Sequence, residues 1–172
     1  PSKDTPPRSP GRTIGIFGGG YFGASTGTYR SNCEILEIET LGRSSNFGEL
    51  TAAVTNSFAM VGNRTRGVRA TGYVGGGSPN TTNSIDYCEF ASRGNFADFG
   101  DLTVGATKAA GVASTTRVIR YGSGSVNVID YHAIASLGDF SDFGDAVAAI
   151  GAGDAVSSPV RGVRVGAQGA SN

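Results

Sequence analysis

Residues 18–23, Gly-Gly-Gly-Tyr-Phe-Gly, have the spacing of a motif that binds dinucleotides in enzymes. In such a site the glycines let the backbone approach a pyrophosphate where a strand turns into a helix. The residues that follow here, Ser-Thr-Gly-Thr at 25–28, are typical of a turn rather than of a helix. Because the motif binds a cofactor only in its strand–turn–helix context, we expect no cofactor site.

The tripeptide Asp-Phe-Gly occurs at residues 98–100 and again at 142–144, and it matches the metal-binding tripeptide of protein kinases. The sequence shows no kinase catalytic loop, glycine-rich loop or paired lysine around it. Duplication favours a structural role, in which the glycine adopts a backbone conformation that other residues avoid and the phenylalanine is buried.

Histidine and cysteine are too scarce for repeated catalytic or metal sites. The chain has one histidine, His132, and two cysteines, Cys33 and Cys88. Catalysis needs a base, a partner and an orienting group together, and one histidine cannot provide them in every repeat. Two cysteines do not form a disulfide framework, so we expect two free thiols. The sequence therefore predicts neither an enzyme nor a metal or cofactor site.

Charged residues recur at fixed spacing, and the chain holds 14 Lys plus Arg and 14 Asp plus Glu. The recurring residues are Arg66 and Arg69, Arg117 and Arg120, Arg161 and Arg164, Asp98 and Asp101, and Asp142 and Asp145. One interpretation is a site for phosphate or acidic glycans, and the other is ion pairing within or between repeats. Charge balance favours pairing, and it also argues against a nucleic-acid partner, which would require a basic excess.

These residues belong to an internal repeat. Residues 83–101 return at 127–145 with twelve of nineteen positions identical, and a weaker copy lies at 32–49. Each copy ends in Phe-Gly followed by an acidic residue. The repeated positions are Phe47, Phe99 and Phe143, then Gly48, Gly100 and Gly144, then Glu49, Asp101 and Asp145. We expect the three phenylalanines to be buried in the core.

The repeats define the domain organisation. Residues 1–11 are proline-rich and predict an extended arm without regular structure, which contacts a neighbouring chain if ordered. Residues 12–172 form one β-repeat domain, and Arg12, Arg66, Arg117 and Arg161 open its successive segments. The repeats are 12–65, 66–116, 117–160 and a partial one at 161–172. Each full repeat of about fifty residues contains four short strand patterns, which is typical of a β-propeller blade.

The motifs resemble the kelch-like repeats of structural proteins of tailed bacteriophages, especially of cyanophages. They are Gly-Gly-Gly-Tyr, Asn-x-Ile-Asp-Tyr, Ala-Ser-x-Gly-Asn/Asp-Phe-x-Asp-Phe-Gly-Asp and Thr-Arg-x-x-Arg, and they extend over residues 12–169. The first repeat departs most, because Ile35-Leu36-Glu37 or a shifted equivalent replaces Ile-Asp-Tyr and Asn46 replaces Asp98. The resemblance implies a virion component, built as a kelch-like β-propeller or part of one, without enzymatic activity.

We therefore expect a non-enzymatic virion structural protein, a capsid decoration or a tail component assembled in the host bacterial cytoplasm, with other virion proteins as partners. The alternative is an adhesin at the tail that binds host-surface glycans. Its candidate interaction loop contains Tyr21, Phe22, Tyr29 and Tyr73. A kelch-containing oxidase, the third class, would require a metal cluster that one histidine cannot complete.

Closure of the domain is the last expectation. Three repeats and the opening of a fourth are fewer than the four to eight blades of closed propellers. Open ends would expose unpaired strands and apolar surface. We expect copies of the chain to associate, or the repeats to belong to a longer chain. No apolar run of eighteen residues is present, so no membrane span is predicted.

Overall fold

The computed structural model describes residues 14–22, 28–55, 60–74, 81–123, 126–149, 151 and 153–165. The predicted arm at 1–11 lies outside the described residues. Thirteen β-strands and no helix occur within the described ranges, so the predicted all-β class is confirmed. In those same ranges there is consequently no apolar helix of membrane-spanning length.

The strands follow one another through short turns and loops. They are β1 (Ile14–Phe22), β2 (Thr28–Glu37), β3 (Ser45–Thr55), β4 (Val61–Gly62), β5 (Arg66–Val74), β6 (Thr81–Glu89), β7 (Ala97–Asp101), β8 (Ala110–Ala113), β9 (Arg117–Ser123), β10 (Val126–Ala133), β11 (Ser141–Asp145), β12 (Asp154–Ser157) and β13 (Gly162–Val165).

All strand pairs are antiparallel, and they group the strands into four units. Unit 1 is β1–β2–β3, unit 2 is β4–β5–β6–β7, unit 3 is β8–β9–β10–β11, and unit 4 is β12–β13. Units 1 and 2 form one seven-stranded sheet, because the end of β3 pairs with the end of β5 through Val54 and Val74.

The short strand that ends each sequence repeat pairs with the strand that opens the next repeat. Thus β4 pairs with β5, β8 with β9 and β12 with β13. The units are therefore shifted by one strand relative to the sequence repeats, and every junction between repeats is fixed by backbone hydrogen bonds.

The register of unit 1 identifies its equivalents in the other units. Cys33 pairs with Gly48 as Ile85 pairs with Gly100, which places Glu34 at the position of Asp86. Phe17, the partner of Glu34, takes the position of the arginine that pairs with Asp86. The sequence alignment of Arg12 with Arg66 is wrong by two residues, because Ile14 occupies the Arg66 position in the register.

Two apolar clusters form the core. One joins units 2 and 3 and is composed of Val68, Ala70, Ile85, Phe99, Leu102, Ala109, Val118, Ile134 and Phe140. The other joins units 1 and 2 and is composed of Cys33, Ile35, Phe47, Leu50, Val54, Cys88 and Phe96. Each cluster collects side chains from two units, so apolar packing joins units 1, 2 and 3.

Burial of the repeated phenylalanines is confirmed at two positions and wrong at the third. Phe47 is 3% exposed and Phe99 is 1% exposed, whereas Phe143 is 54% exposed. Phe47 packs on Phe96 and Phe99 on Phe140, and both partners come from the following unit. Within the described residues, unit 4 has no equivalent of these partners, and Phe143 contacts the ring of Tyr131 in its own unit.

Candidate interaction site

A cluster of three tyrosines forms where β1, β2 and β5 approach one another. Tyr21 and Tyr29 are cross-strand partners with ring centroids 5.7 Å apart. The rings of Tyr29 and Tyr73 are 6.5 Å apart. Tyr21 is 50% exposed and the other two are half-buried. The structure therefore brings together three of the four aromatic residues predicted for the interaction loop, while the side chain of Phe22 lies outside the described residues.

Exposed tyrosine rings can stack on the apolar face of a sugar, and their hydroxyl groups can hydrogen-bond to it. Next to Tyr21, Gly20 faces open space among the described residues, whereas a Cβ atom at Gly19 would lie 2.9 Å from Val54 O. Gly19 and Gly20 have positive φ values of 72° and 129°. Because β1 continues to Phe22 as a strand, the glycine run does not open a helix. The glycine run therefore lies within a strand, not at a turn between a strand and a helix.

Two of the recurring arginines lie in buried ion pairs. Arg69 donates to Asp86, and Arg120 donates to Asp130; all four side chains are at most 1% exposed. The other carboxylate oxygen of each aspartate accepts a hydrogen bond from the preceding unit. The donor is Thr51 for Asp86, and it is Thr103, at 2.7 Å, for Asp130.

These pairs decide between the two interpretations of the recurring charges, a ligand site and ion pairing, at two of the arginines. The pairing interpretation is confirmed for Arg69 and Arg120, and no ligand is needed to explain their burial. The acidic partners are not Asp98 and Asp101 but Asp86 and Asp130, the aspartates of the Ile-Asp-Tyr motif. The strand register was the missing signal, since it places Asp86 on β6 directly opposite Arg69 and Asp130 on β10 directly opposite Arg120.

The arginines that open the repeats lie nearer the surface. Arg66 donates to Glu89 from Nε at 2.7 Å and from Nη2 at 2.6 Å, and its guanidinium lies 4.6 Å from the ring centre of Tyr87. Arg117 lies over the ring of Tyr131 at 5.3 Å, and Arg161 is exposed. These contacts are cation–π and ion-pair contacts within a unit.

A turn of unit 2 packs on the Phe-Gly of unit 1 and forms a joint between the two units. Asn95 accepts a hydrogen bond from the backbone N–H of Glu49 at 3.2 Å, and Phe96 N–H donates to Glu49 O at 2.7 Å. A Cβ atom at Gly48 would lie 2.1 Å from Gly94 O, so only glycine permits this approach.

The same joint recurs between units 2 and 3. Asp139 accepts from the N–H of Asp101 at 3.0 Å, and Phe140 N–H donates to Asp101 O at 2.8 Å. A Cβ atom at Gly100 would lie 2.3 Å from Gly138 O. The Asp-Phe-Gly at residues 98–100 therefore forms a joint between units 2 and 3, which agrees with the predicted structural role and assigns it a partner that the sequence did not reveal.

His132 and the two thiols are packing residues in this structure. The His132 ring stacks on Phe140 at 5.9 Å and meets the edge of Phe99 at 5.4 Å. Cys33 and Cys88 are buried free thiols, as expected. Burial raises the pKa of Cys33 to about 11 and that of Cys88 to about 12, so both are protonated at neutral pH. The described residues contain no group of three metal-ligating side chains.

A polar cleft of about 820 Å³ lies against β1 and β2. Its lining includes Gly18, Arg30, Asn32, Glu34 and Arg69. The Glu34 carboxylate accepts a hydrogen bond from Ser44 at 2.6 Å, and the Arg69 guanidinium is paired with an aspartate. The Glu34 carboxylate and the Arg69 guanidinium are thus already engaged in hydrogen bonds, whereas the tyrosine cluster offers aromatic rings on which a ligand could stack.

No protein-family model matches the chain. A search of curated proteins also found no match. Among solved structures, the chain is similar to one described as "Structure of YjhT", with a TM-score of 0.62 and 11% identity over 83% of this chain. The chain spans 46% of that structure's chain. At this identity the likeness shows the fold alone.

Proposed function

We propose that the chain is a non-enzymatic structural protein whose repeats are kelch-like propeller blades and which serves as a scaffold for protein–protein contacts in the virion of a tailed phage. The observation that carries this proposal is the joint between successive units. The most repeated residues of the sequence, including Gly48, Gly100 and the Ile-Asp-Tyr aspartates, join one unit to the next.

The proposal that this scaffold belongs to a phage is supported by the resemblance of the repeat motifs to those of kelch-like phage structural proteins. A structural role fits this use of charge, because buried ion pairs fix a unique packing geometry and offer no accessible ligand site. A protein built in this way functions through its surfaces and edges, which other virion proteins would contact on the capsid or in the tail.

Immunogold labelling of purified particles tests the proposal. Antibodies raised against the 172-residue chain should label intact virions at a reproducible position. Mass spectrometry of density-purified particles should find the chain at a fixed ratio to the major capsid protein. If the chain is confined to the soluble fraction of infected-cell lysates, the proposal is wrong.

The tyrosine cluster favours a second candidate, an adhesin for host-surface glycans. The exposed ring of Tyr21 beside Tyr29 and Tyr73 would provide the stacking surface. A glycan array probed with the purified chain tests this function, and the Tyr29→Ala variant is the matched control. Binding that is unaffected by removal of the Tyr29 ring, or no binding at all, would exclude the cluster as a glycan site.

A further inference from the structure

The edge formed by units 3 and 4 repeats the geometry of the two joints between units, but nothing occupies it in the described residues. The backbone supports the likeness. Ala146 N–H donates to Asn127 O at 2.7 Å, as Leu102 N–H donates to Asn83 O at 2.9 Å in unit 2. Gly144 has φ of 136°, close to the 142° of Gly100.

Space for a partner turn is open at this edge. A Cβ atom at Gly100 would collide with the next unit, whereas one at Gly144 would meet no atom within 4 Å. The exposed Phe143 lies beside it, in the position that Phe47 and Phe99 occupy under the turns of the units that follow them. The site therefore has the residues of a joint, and no turn closes it among the described residues.

Arg164 provides an independent sign of a missing partner. It occupies in β13 the position that Arg120 has in β9, three residues after the arginine that opens the segment. Its Nη2 atom is buried and has no hydrogen-bond partner among the described residues, whereas the Nη2 atoms of Arg69 and Arg120 donate to aspartates. The Nε atoms of all three arginines lack a partner, so Nη2 is the atom that distinguishes Arg164. In the two preceding units the corresponding guanidinium meets an aspartate from the adjacent strand. Arg164 is half-buried, and a shielded guanidinium nitrogen without an acceptor is unfavourable, so this position favours an anionic side chain.

We propose that this edge, defined by Phe143, Gly144, Asp145 and Arg164, binds a further repeat of the same kind that the 172 residues do not contain. Its occupant would insert a Gly-Asn/Asp-Phe turn against Gly144 and pair an aspartate-bearing strand with β13. This inference rests on the scaffold function proposed above and specifies the partner: a repeat that carries an Asn or Asp, a Phe and a paired aspartate.

Unit 1 of a second copy of the chain fits this edge less well. At the positions of Gly94, Asn95 and Phe96 it carries Gly42-Arg43-Ser44. The arginine side chain has no acceptor for the backbone N–H of Asp145, and serine does not supply the ring that covers Phe143. A repeat with the Asn/Asp and Phe residues is therefore favoured over head-to-tail association of this chain with itself.

A peptide in trans tests the proposal. The probe is a fluorescent peptide of residues 126–149, which contains Asp130 and the turn Gly138-Asp139-Phe140. Fluorescence anisotropy with the full chain should show saturable binding. Hydrogen exchange should slow at residues 143–147 and 162–165 on binding. Peptides with Asp130→Asn or Asp139→Ala should bind at least tenfold more weakly, and a scrambled peptide should not bind.

The Arg164→Gln variant completes a double-mutant cycle. It should bind the wild-type peptide about tenfold more weakly and should no longer distinguish the Asp130→Asn peptide from it. Absence of binding, or binding equal for all peptides, would overturn the proposal. It would also be overturned if the free chain formed a dimer that Arg164→Gln dissociates, since a second copy would then occupy the edge. Each of these outcomes leaves the particle-labelling test of virion location unaffected.

Discussion

Phe99 and Phe143 occupy equivalent positions in consecutive units, and replacing each by alanine should have very different costs. Phe99 is 1% exposed and contacts the rings of Tyr87, His132 and Phe140. Its removal leaves a cavity in the core between units 2 and 3, and we expect Phe99→Ala to destabilise the fold by about 3–5 kcal/mol.

The matched change, Phe143→Ala, should cost much less. Phe143 is 54% exposed, so about half of its transfer free energy is at stake, or about 1 kcal/mol, and no closed cavity forms. For a chain of this size, each kcal/mol lowers the melting temperature by about 2–4 °C. Calorimetry should therefore show a loss of about 6–20 °C for Phe99→Ala and of about 2–4 °C for Phe143→Ala. Equal losses would refute the account of the joints, because they would mean that the edge beyond unit 3 is already closed.

Three further predictions concern the ion pairs, the thiols and the tyrosines. Asp86→Asn should destabilise the chain by about 3–5 kcal/mol in urea unfolding, because it leaves the Arg69 guanidinium buried without a charge partner. Stability should fall as pH rises above about 9, up to about pH 11 for Cys33 and about pH 12 for Cys88, by at most about 1.4 kcal/mol per pH unit for each thiol, because burial raises both pKa values and the unfolded chain loses these protons first. Tyr29→Ala should leave the melting temperature within about 4 °C of wild type, since the ring lies outside both core clusters.

Each of these has a control within the chain. Asp98→Asn removes an exposed carboxylate and should change stability by less than about 0.5 kcal/mol, so a cost equal to that of Asp86→Asn would contradict the ion-pair argument. A double variant with alanine at Cys33 and Cys88 should lose the alkaline slope, and retention of the slope would assign it to other groups. A collapse of the fold in Tyr29→Ala would show that the cluster is structural rather than a surface for binding.

The internal repeat was the basis for most of the structure that the sequence could predict, namely the strands and the ion pairing. Alternating β-branched and aromatic residues between turn residues predicted strands, and the structure has strands there. The recurrence of Arg and Asp predicted pairing, but the choice of partner depends on register, which the sequence pattern alone did not fix. Phe143 shows a second limit, because burial depends on the neighbouring unit and not on the residue's own repeat.

The first unit shows a third limit. Its sequence departs from the others, and alignment of Arg12 with Arg66 placed its first strand two residues out of register. The structure aligns it through the pairing of Cys33 with Gly48. The joint itself was not predictable from the glycines alone, because the reason for Gly48 and Gly100 is the close approach of a turn about forty residues away.

Electron microscopy of intact virions, at a resolution that shows side chains, tests the proposed structural function most directly. The account predicts density for this chain at a repeated position in the particle, with the Phe143–Gly144 edge covered by a turn of Gly-Asn/Asp-Phe type and a carboxylate against Arg164. Particles that lack the chain, or that contain it with this edge facing solvent and no contact to a neighbouring virion protein, would contradict it.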